Sequence, residues 1–329
     1  MPAFRTPIAP LTPPFSIGYE DEVLTLGSCF AESIGERLRR HKFRTTVNPF
    51  GVLYNPVSVA HSLALLLGQD SFEPDLVFEN QGLWHHFDFH GRYSRPEPEA
   101  ARKEMLRSLE EGRAALGRCT CLMITLGTAF VHVHSDQGRV VANCHRVPAA
   151  RFQRRRLEVE EAFSALAVPL RVLLEERPAL KIVLSVSPVR HLRDGFVENQ
   201  RSKATLLLLA DRLDAAFPGL IYYPAYELLL DDLRDYRFYG EDRVHPSSEA
   251  VDYIWQHFLD SFLPPEDMPL FRKVQQLLQA VAHRPFHPQT PQHQAFVRRQ
   301  LAEVEALASE WPRLDWSEER RRLSQQLIG

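Results

Sequence analysis

The sequence predicts an α/β protein with a central, mostly parallel sheet covered by helices on both faces. Three observations predict it. Short, nearly continuous apolar runs such as Cys119 to Leu126 and Lys181 to Val186 read as strands buried on both faces. Longer stretches with helical spacing of apolar residues lie between them. The two kinds of segment alternate, the order that joins parallel strands through crossover helices.

Taken in order, Glu22 to Leu26 is a first strand ending at Gly27, and Phe30 to Lys42 a first helix. Thr45 to Val47 is a second strand, stopped at Asn48-Pro49 because the residue before a proline is disfavoured in helical conformation. Asn55-Pro56 opens the next helix, which runs to about Leu67. Helix 98–116 precedes strand 119–126, helix 157–177 precedes strand 181–186, and helix 198–216 precedes strand 220–223. A helix over 248–263 follows. Between Ala129 and His145, Val131 and Val133 alternate with His132 and His134 before the turn Asp136-Gln137-Gly138, which predicts a β-hairpin inserted after a central strand. Residues 1–265 therefore read as one α/β domain and 266–329 as a helical C-terminal extension, its last helix capped by Asp315 or Ser317.

Composition narrows the function. The 329 residues are 44% hydrophobic and 25% charged, with 39 Lys plus Arg against 42 Asp plus Glu and a net charge of -3. So balanced a chain is not a general nucleic-acid binder. Apolar runs such as Leu206 to Ala210 fall far short of the about 20 residues that span a bilayer. The proline-rich stretch Met1 to Phe15 lacks the apolar core of a secretory signal. Four cysteines make no disulfide framework at this size. The expectation is a soluble cytoplasmic protein without nucleic-acid or membrane partners.

Ligands in doubly wound folds sit at the carboxyl ends of the strands. At the first such end, Leu26-Gly27-Ser28-Cys29-Phe30-Ala31-Glu32 places Ser28 at a strand–helix junction, close to helix-start amides that stabilise an oxyanion. The competing reading is a plain N-cap. Near the end of the domain, Tyr239-Gly-Glu-Asp242-Arg-Val-His245-Pro246-Ser247 sets an aspartate three residues before a histidine, a spacing that lets the carboxylate orient the imidazole. Nucleophile, acid and base then follow the chain order Ser28, Asp242, His245. No G-x-S-x-G elbow occurs. A late, closely spaced Asp–His pair suits the SGNH (GDSL-like) hydrolases instead.

Leu26-Gly27-Ser28-Cys29-Phe30-Ala31 resembles the signature of the GSCFA family, placed within that hydrolase group. Asn48-Pro49-Phe50-Gly51, Thr125-Leu126-Gly127-Thr128-Ala129, Ala142-Asn143-Cys144-His145, Ser187-Pro188-Val189-Arg190-His191, Glu198 to Lys203 and Asp231 to Tyr239 resemble further family segments, over about residues 3–263. The resemblance implies an SGNH-like three-layer sandwich and a serine esterase or acyltransferase. It suggests a small acyl group, such as acetyl on a saccharide. Two departures stand out: Gly27 precedes the serine where GDSL enzymes carry aspartate, and Gly127-Thr128-Ala129 replaces the G-x-N element with its oxyanion-hole asparagine. Oxyanion donors are then sought at the Ser28 amide, Asn48, the Gly51 amide and the Thr128 hydroxyl.

Other residues carry competing readings. Cys29 is a second nucleophile candidate but is expected to pack inward. Cys119, Cys121, Cys144, His132, His134 and His145 invite a zinc reading, yet no C-x-x-C or H-E-x-x-H spacing supports it, and no metal is assigned. Trp84 to Ser94 reads first as an edge strand or long loop packing its aromatics on the sheet. The alternative, if it is extended, puts His86, Asp88 and His90 on one face lining a cleft and Phe87 and Phe89 on the other. Arg190 and His191 follow a strand and belong to the cleft edge; Arg190 binds an anionic substrate group or pairs with Asp231, Asp232 or Asp235. The runs Arg151, Arg154 to Arg156 and Arg320 to Arg322 read as solvated helix faces. With no G-x-G-x-x-G or Walker loop, no cofactor is assigned. The expected function is ester hydrolysis or acyl transfer on a small-molecule or saccharide ester, the alternative a catalytically silent binding protein using the same cleft.

Overall fold

A computed structural model describes residues 5–327. In chain order the elements are β1 (Glu22–Gly27), α1 (Cys29–Arg40), β2 (Arg44–Val47), α2 (Pro56–Leu67), β3 (Phe78–Asn80), β4 (Leu83–His85) and α3 (Pro98–Arg118). Then come β5 (Cys121–Leu126), β6 (Phe130–His134), β7 (Val140–Val141), β8 (Phe152–Arg156), α4 (Val159–Glu176), β9 (Lys181–Val186), α5 (Gly195–Ala216) and β10 (Leu220–Tyr223). The short α6 (Ala225–Glu227) leads through a π turn toward α7 (Ser248–Phe262), followed by α8 (Met268–Ala282), α9 (Pro291–Glu310) and α10 (Ser317–Ser324). The local rules of the sequence operate here: Asn55 Oδ1 accepts the Ser58 N–H at 2.9 Å to cap α2, with Pro56 in its first turn.

Five strands form one sheet in the order β10-β9-β5-β1-β2, every neighbouring pair parallel. Side chains alternate across it. Leu24, Leu26, Leu122, Ile124, Ile182 and Leu184 join a core with α2, α3, α4 and α5, whereas Val23, Cys121, Met123 and Val183 join one with α1 and α7. The result is the three-layer arrangement expected. The chain steps from β1 outward to β2, then crosses to β5 on the other side of β1, so strand order reverses between β1 and β5. Register sets Gly27 opposite Thr125 and Thr125 opposite Ser185. The chain therefore leaves β1, β5 and β9 at one level, and the loops carrying Ser28, Thr128 and Arg190 converge there.

The C-terminal helices pack on the core: Phe271, Val274, Val304 and Leu323 share one apolar cluster with Ile34, Leu38, Trp255 and Phe258. Lys42 and Glu319 form a largely buried 2.5 Å ion pair across that contact. At the start of α10, Asp315 Oδ1 accepts the Ser317 N–H at 2.9 Å. No helix among the described residues is long and apolar enough to cross a membrane.

One local expectation changes. The inserted hairpin is three-stranded, β6 lying between β7 and β8, so Arg154 to Arg156 sit on a strand and not on a helix face. Arg155 reaches Glu161 at 2.7 Å and Arg156 reaches Glu198 at 3.3 Å. The segment after β4 is a turn that packs its aromatics inward, the favoured loop reading, and the extended alternative falls. His86, Phe87, Asp88 and Phe89 are all buried, so no polar face is presented to a cleft; Asp88 instead holds Arg139 at 2.6 Å.

Candidate active site

Gly27 ends β1 with φ +137°, and a Cβ there would lie 2.2 Å from the Thr125 carbonyl oxygen. No side chain fits, which accounts for glycine ahead of the serine. Ser28 then caps α1. Its Oγ accepts the Phe30 N–H at 3.3 Å, its amide donates to Thr125 O at 3.0 Å, and the residue is 0% exposed. That amide is therefore not an open oxyanion donor. Cys29 reverses its expectation: it is half-buried, while Ser28 is the residue that packs inward. Burial pushes the Cys29 thiol up, and the N–H groups of Cys29 and Phe30 together with Lys203 pull the other way.

Asp242 and His245 pair as the spacing predicted. Asp242 Oδ2 lies 2.6 Å from His245 Nδ1, and both side chains are about half exposed, at 52% and 55%. The hydrogen bond from His245, then the backbone N–H groups of His245 and Val244, hold the Asp242 carboxyl well below the usual carboxylate range. With Nδ1–H directed at Asp242, Nε2 is the lone-pair acceptor. The turn docks at the carboxyl end of the sheet, because Val244 O accepts the Arg190 N–H at 3.1 Å. His191, next in sequence, lies edge-on to Tyr54 with ring centres 5.5 Å apart. Burial, reinforced by Lys203 and His245, drives its pKa down to about 3, so it is neutral near pH 7.

Two of the other oxyanion candidates are occupied. The Gly51 amide donates to Asn48 O at 2.7 Å within a tight turn, and a Cβ at Gly51 would come 2.3 Å from His90 Cβ. The Thr128 hydroxyl shares a 3.0 Å bond with Ser202 and accepts the Phe130 N–H, and the Gly127 and Thr128 amides both donate to Tyr54 O. Asn48 is fully buried beside the turn, where its Nδ2 donates to Gly27 O at 3.2 Å. At 0% exposure Asn48 is closed to solvent, as Ser28 is. Arg190 pairs with none of its three expected partners: Asp231 holds Arg234, Asp232 holds Arg5, and Asp235 holds Arg237.

Helix α5 supplies site residues that no catalytic motif in the sequence marks. Asn199 Oδ1 accepts the His191 N–H at 2.8 Å, and Ser202 Oγ accepts the Ala129 N–H at 2.8 Å. Lys203, 1% exposed, donates to the carbonyls of Gly127 at 2.7 Å and Ser187 at 2.6 Å. Burial brings its pKa down to about 7. Three polar residues at i, i+4 and i+3 spacing on one face of a helix were the available signal. Among the described residues, no three His, Cys, Asp or Glu side chains gather to hold a metal ion.

A family model described as "GSCFA family" matches residues 22–258, and one described as "GSCFA domain protein, C-terminal domain" matches residues 274–329. No curated protein and no solved structure matches the chain.

Proposed function

The chain belongs to the GSCFA family, and from the site at its strand ends we propose that it is an SGNH-like enzyme acting on ester bonds. The Asp242–His245 pair, 2.6 Å apart with Nε2 directed away from the carboxylate, carries this reading. A nucleophile from the turn after β1 attacks the ester carbonyl while His245 Nε2 takes its proton. His245 returns that proton to the leaving alkoxide, and an acyl-enzyme forms. Water then completes hydrolysis, or a sugar hydroxyl accepts the acyl group. An O-acetylated saccharide fits this scheme as substrate.

Ser28 is the attacking residue that the order Ser28, Asp242, His245 designates. Cys29 is the second reading, favoured by one observation: at the same turn it is half-buried, whereas Ser28 is closed off and engaged as a cap. The catalytically silent alternative draws on the engaged Gly51 and Thr128 donors. Hydrolysis of p-nitrophenyl acetate and butyrate separates the readings. Turnover and fluorophosphonate labelling that vanish in Ser28→Ala and His245→Ala establish Ser28. Iodoacetamide inactivation, loss in Cys29→Ala and survival in Ser28→Ala transfer the role to Cys29. No turnover and no labelling in the wild type favours the binding protein.

A further inference from the structure

Arg190 is the charged group beside the acid–base pair that the acyl chemistry leaves unused. Its guanidinium carbon lies 4.1 Å from the ring centre of Tyr239, 5.2 Å from Tyr236 and 5.8 Å from Phe196. Tyr239 in turn bridges to Pro246, the residue after His245, and the Arg190 N–H donates to Val244 O at 3.1 Å. The cage is thus tied to the catalytic turn from two directions. No carboxylate pairs with Arg190 among the described residues: Asp231, Asp232 and Asp235 hold other arginines, and so do Asp194 and Glu198, which are nearer in sequence. Its Nη1 is buried without a hydrogen-bond partner. Aromatic faces attract a guanidinium without accepting its N–H groups; the Tyr239 hydroxyl is an acceptor beside it and interacts with Arg190, yet Nη1 stays unpaired. The Phe196 and Tyr236 side chains are open to solvent, at 59% and 58% exposure.

We infer that Arg190, held by Tyr236, Tyr239 and Phe196, is an anion-binding subsite for a carboxylate or phosphate carried on the alcohol half of the ester substrate. The inference rests on the ester reading in one respect. His245 delivers its proton to the leaving oxygen, so groups next to His245 face the alcohol half. The planar guanidinium fork matches the paired oxygens of either anion, which an ammonium cannot reproduce.

The test compares kcat/KM for p-nitrophenyl acetate with that for its 3-carboxy derivative, in the wild type, R190K and R190M, with thermal melts to confirm folding. The wild type should prefer the carboxylate ester. R190M should lower the anionic-to-neutral ratio at least 10-fold, and R190K should fall between. An unchanged ratio in R190M, or no preference in the wild type, overturns the subsite while leaving ester turnover standing. If no ester is turned over, calorimetric titration with benzoate and inorganic phosphate decides. Saturable binding lost in R190M supports the subsite while the ester reading fails, and the tighter of the two anions names the oxyanion. Absence of both binding and turnover overturns both.

Discussion

Asp242 Oδ2 stands 2.6 Å from His245 Nδ1, while Oδ1 of the same carboxylate accepts the Val244 and His245 N–H groups at 2.9 and 3.0 Å. One carboxylate therefore shapes the turn and sets the imidazole tautomer. Asp242→Asn keeps the turn acceptor but offers Nδ1 a donor, which inverts the tautomer. Ester turnover should fall on the order of 10³- to 10⁴-fold. The circular dichroism spectrum should stay as in the wild type. A variant with undiminished turnover removes Asp242 from the mechanism.

The turn after β1 makes a stability prediction independent of chemistry. Ser28→Ala removes the α1 cap and should cost about 1 kcal/mol. Gly27→Ala should cost more, about 2 kcal/mol or above, because φ +137° and the 2.2 Å approach to Thr125 O leave no room for a methyl group. Urea denaturation of the two variants against wild type measures both, and the reverse order would contradict the geometry.

Lys203 makes stability depend on pH. Its folded pKa of about 7 lies below the ordinary lysine value of 10.5. Above pH 7 the unfolded chain therefore holds a proton that the folded protein releases. Wild-type stability relative to Lys203→Met should rise from neutral pH upward, by at most about 1.4 kcal/mol per pH unit. Denaturation at pH 6, 7.5 and 9 reads this slope. A difference that stays constant across that range would mean Lys203 keeps its charge when folded.

Removing residues 266–329 uncovers the faces of Ile34, Leu38, Trp255 and Phe258 that pack against Phe271, Val274 and Val304. A chain ending at residue 265 should aggregate or bind a hydrophobic dye, as large exposed apolar patches do. Size-exclusion chromatography checks this. A monodisperse, cooperatively melting fragment would show that the α/β layers close without the extension.

Much of the architecture was legible because it is local. Runs such as Cys121 to Leu126 are apolar on both faces, and this alone announces a strand inside a covered parallel sheet. Asn55-Pro56 places the start of α2 through capping chemistry, and Asp242 and His245 meet because only two residues of one turn separate them. Where a segment's fate depends on a distant partner, the same reasoning fails. Arg154 to Arg156 became part of β8 because β6 offers them an edge to pair with.

The alternation of strands and helices and the Asp242–His245 pair are written locally, since periodicity, capping and short spacing act within a few residues, and the family is carried by the resemblance of motifs such as Leu26 to Ala31. That Ser28 is closed while Cys29 is half-open follows from packing across the fold. The same packing engages Thr128 and Gly51, lets α5 grip the strand ends through Asn199, Ser202 and Lys203, and leaves Arg190 with aromatic rings around it and no carboxylate. Burial and hydrogen-bond partnership are properties of what arrives from elsewhere in the chain, and parallel strands bring those arrivals together only at their shared carboxyl ends.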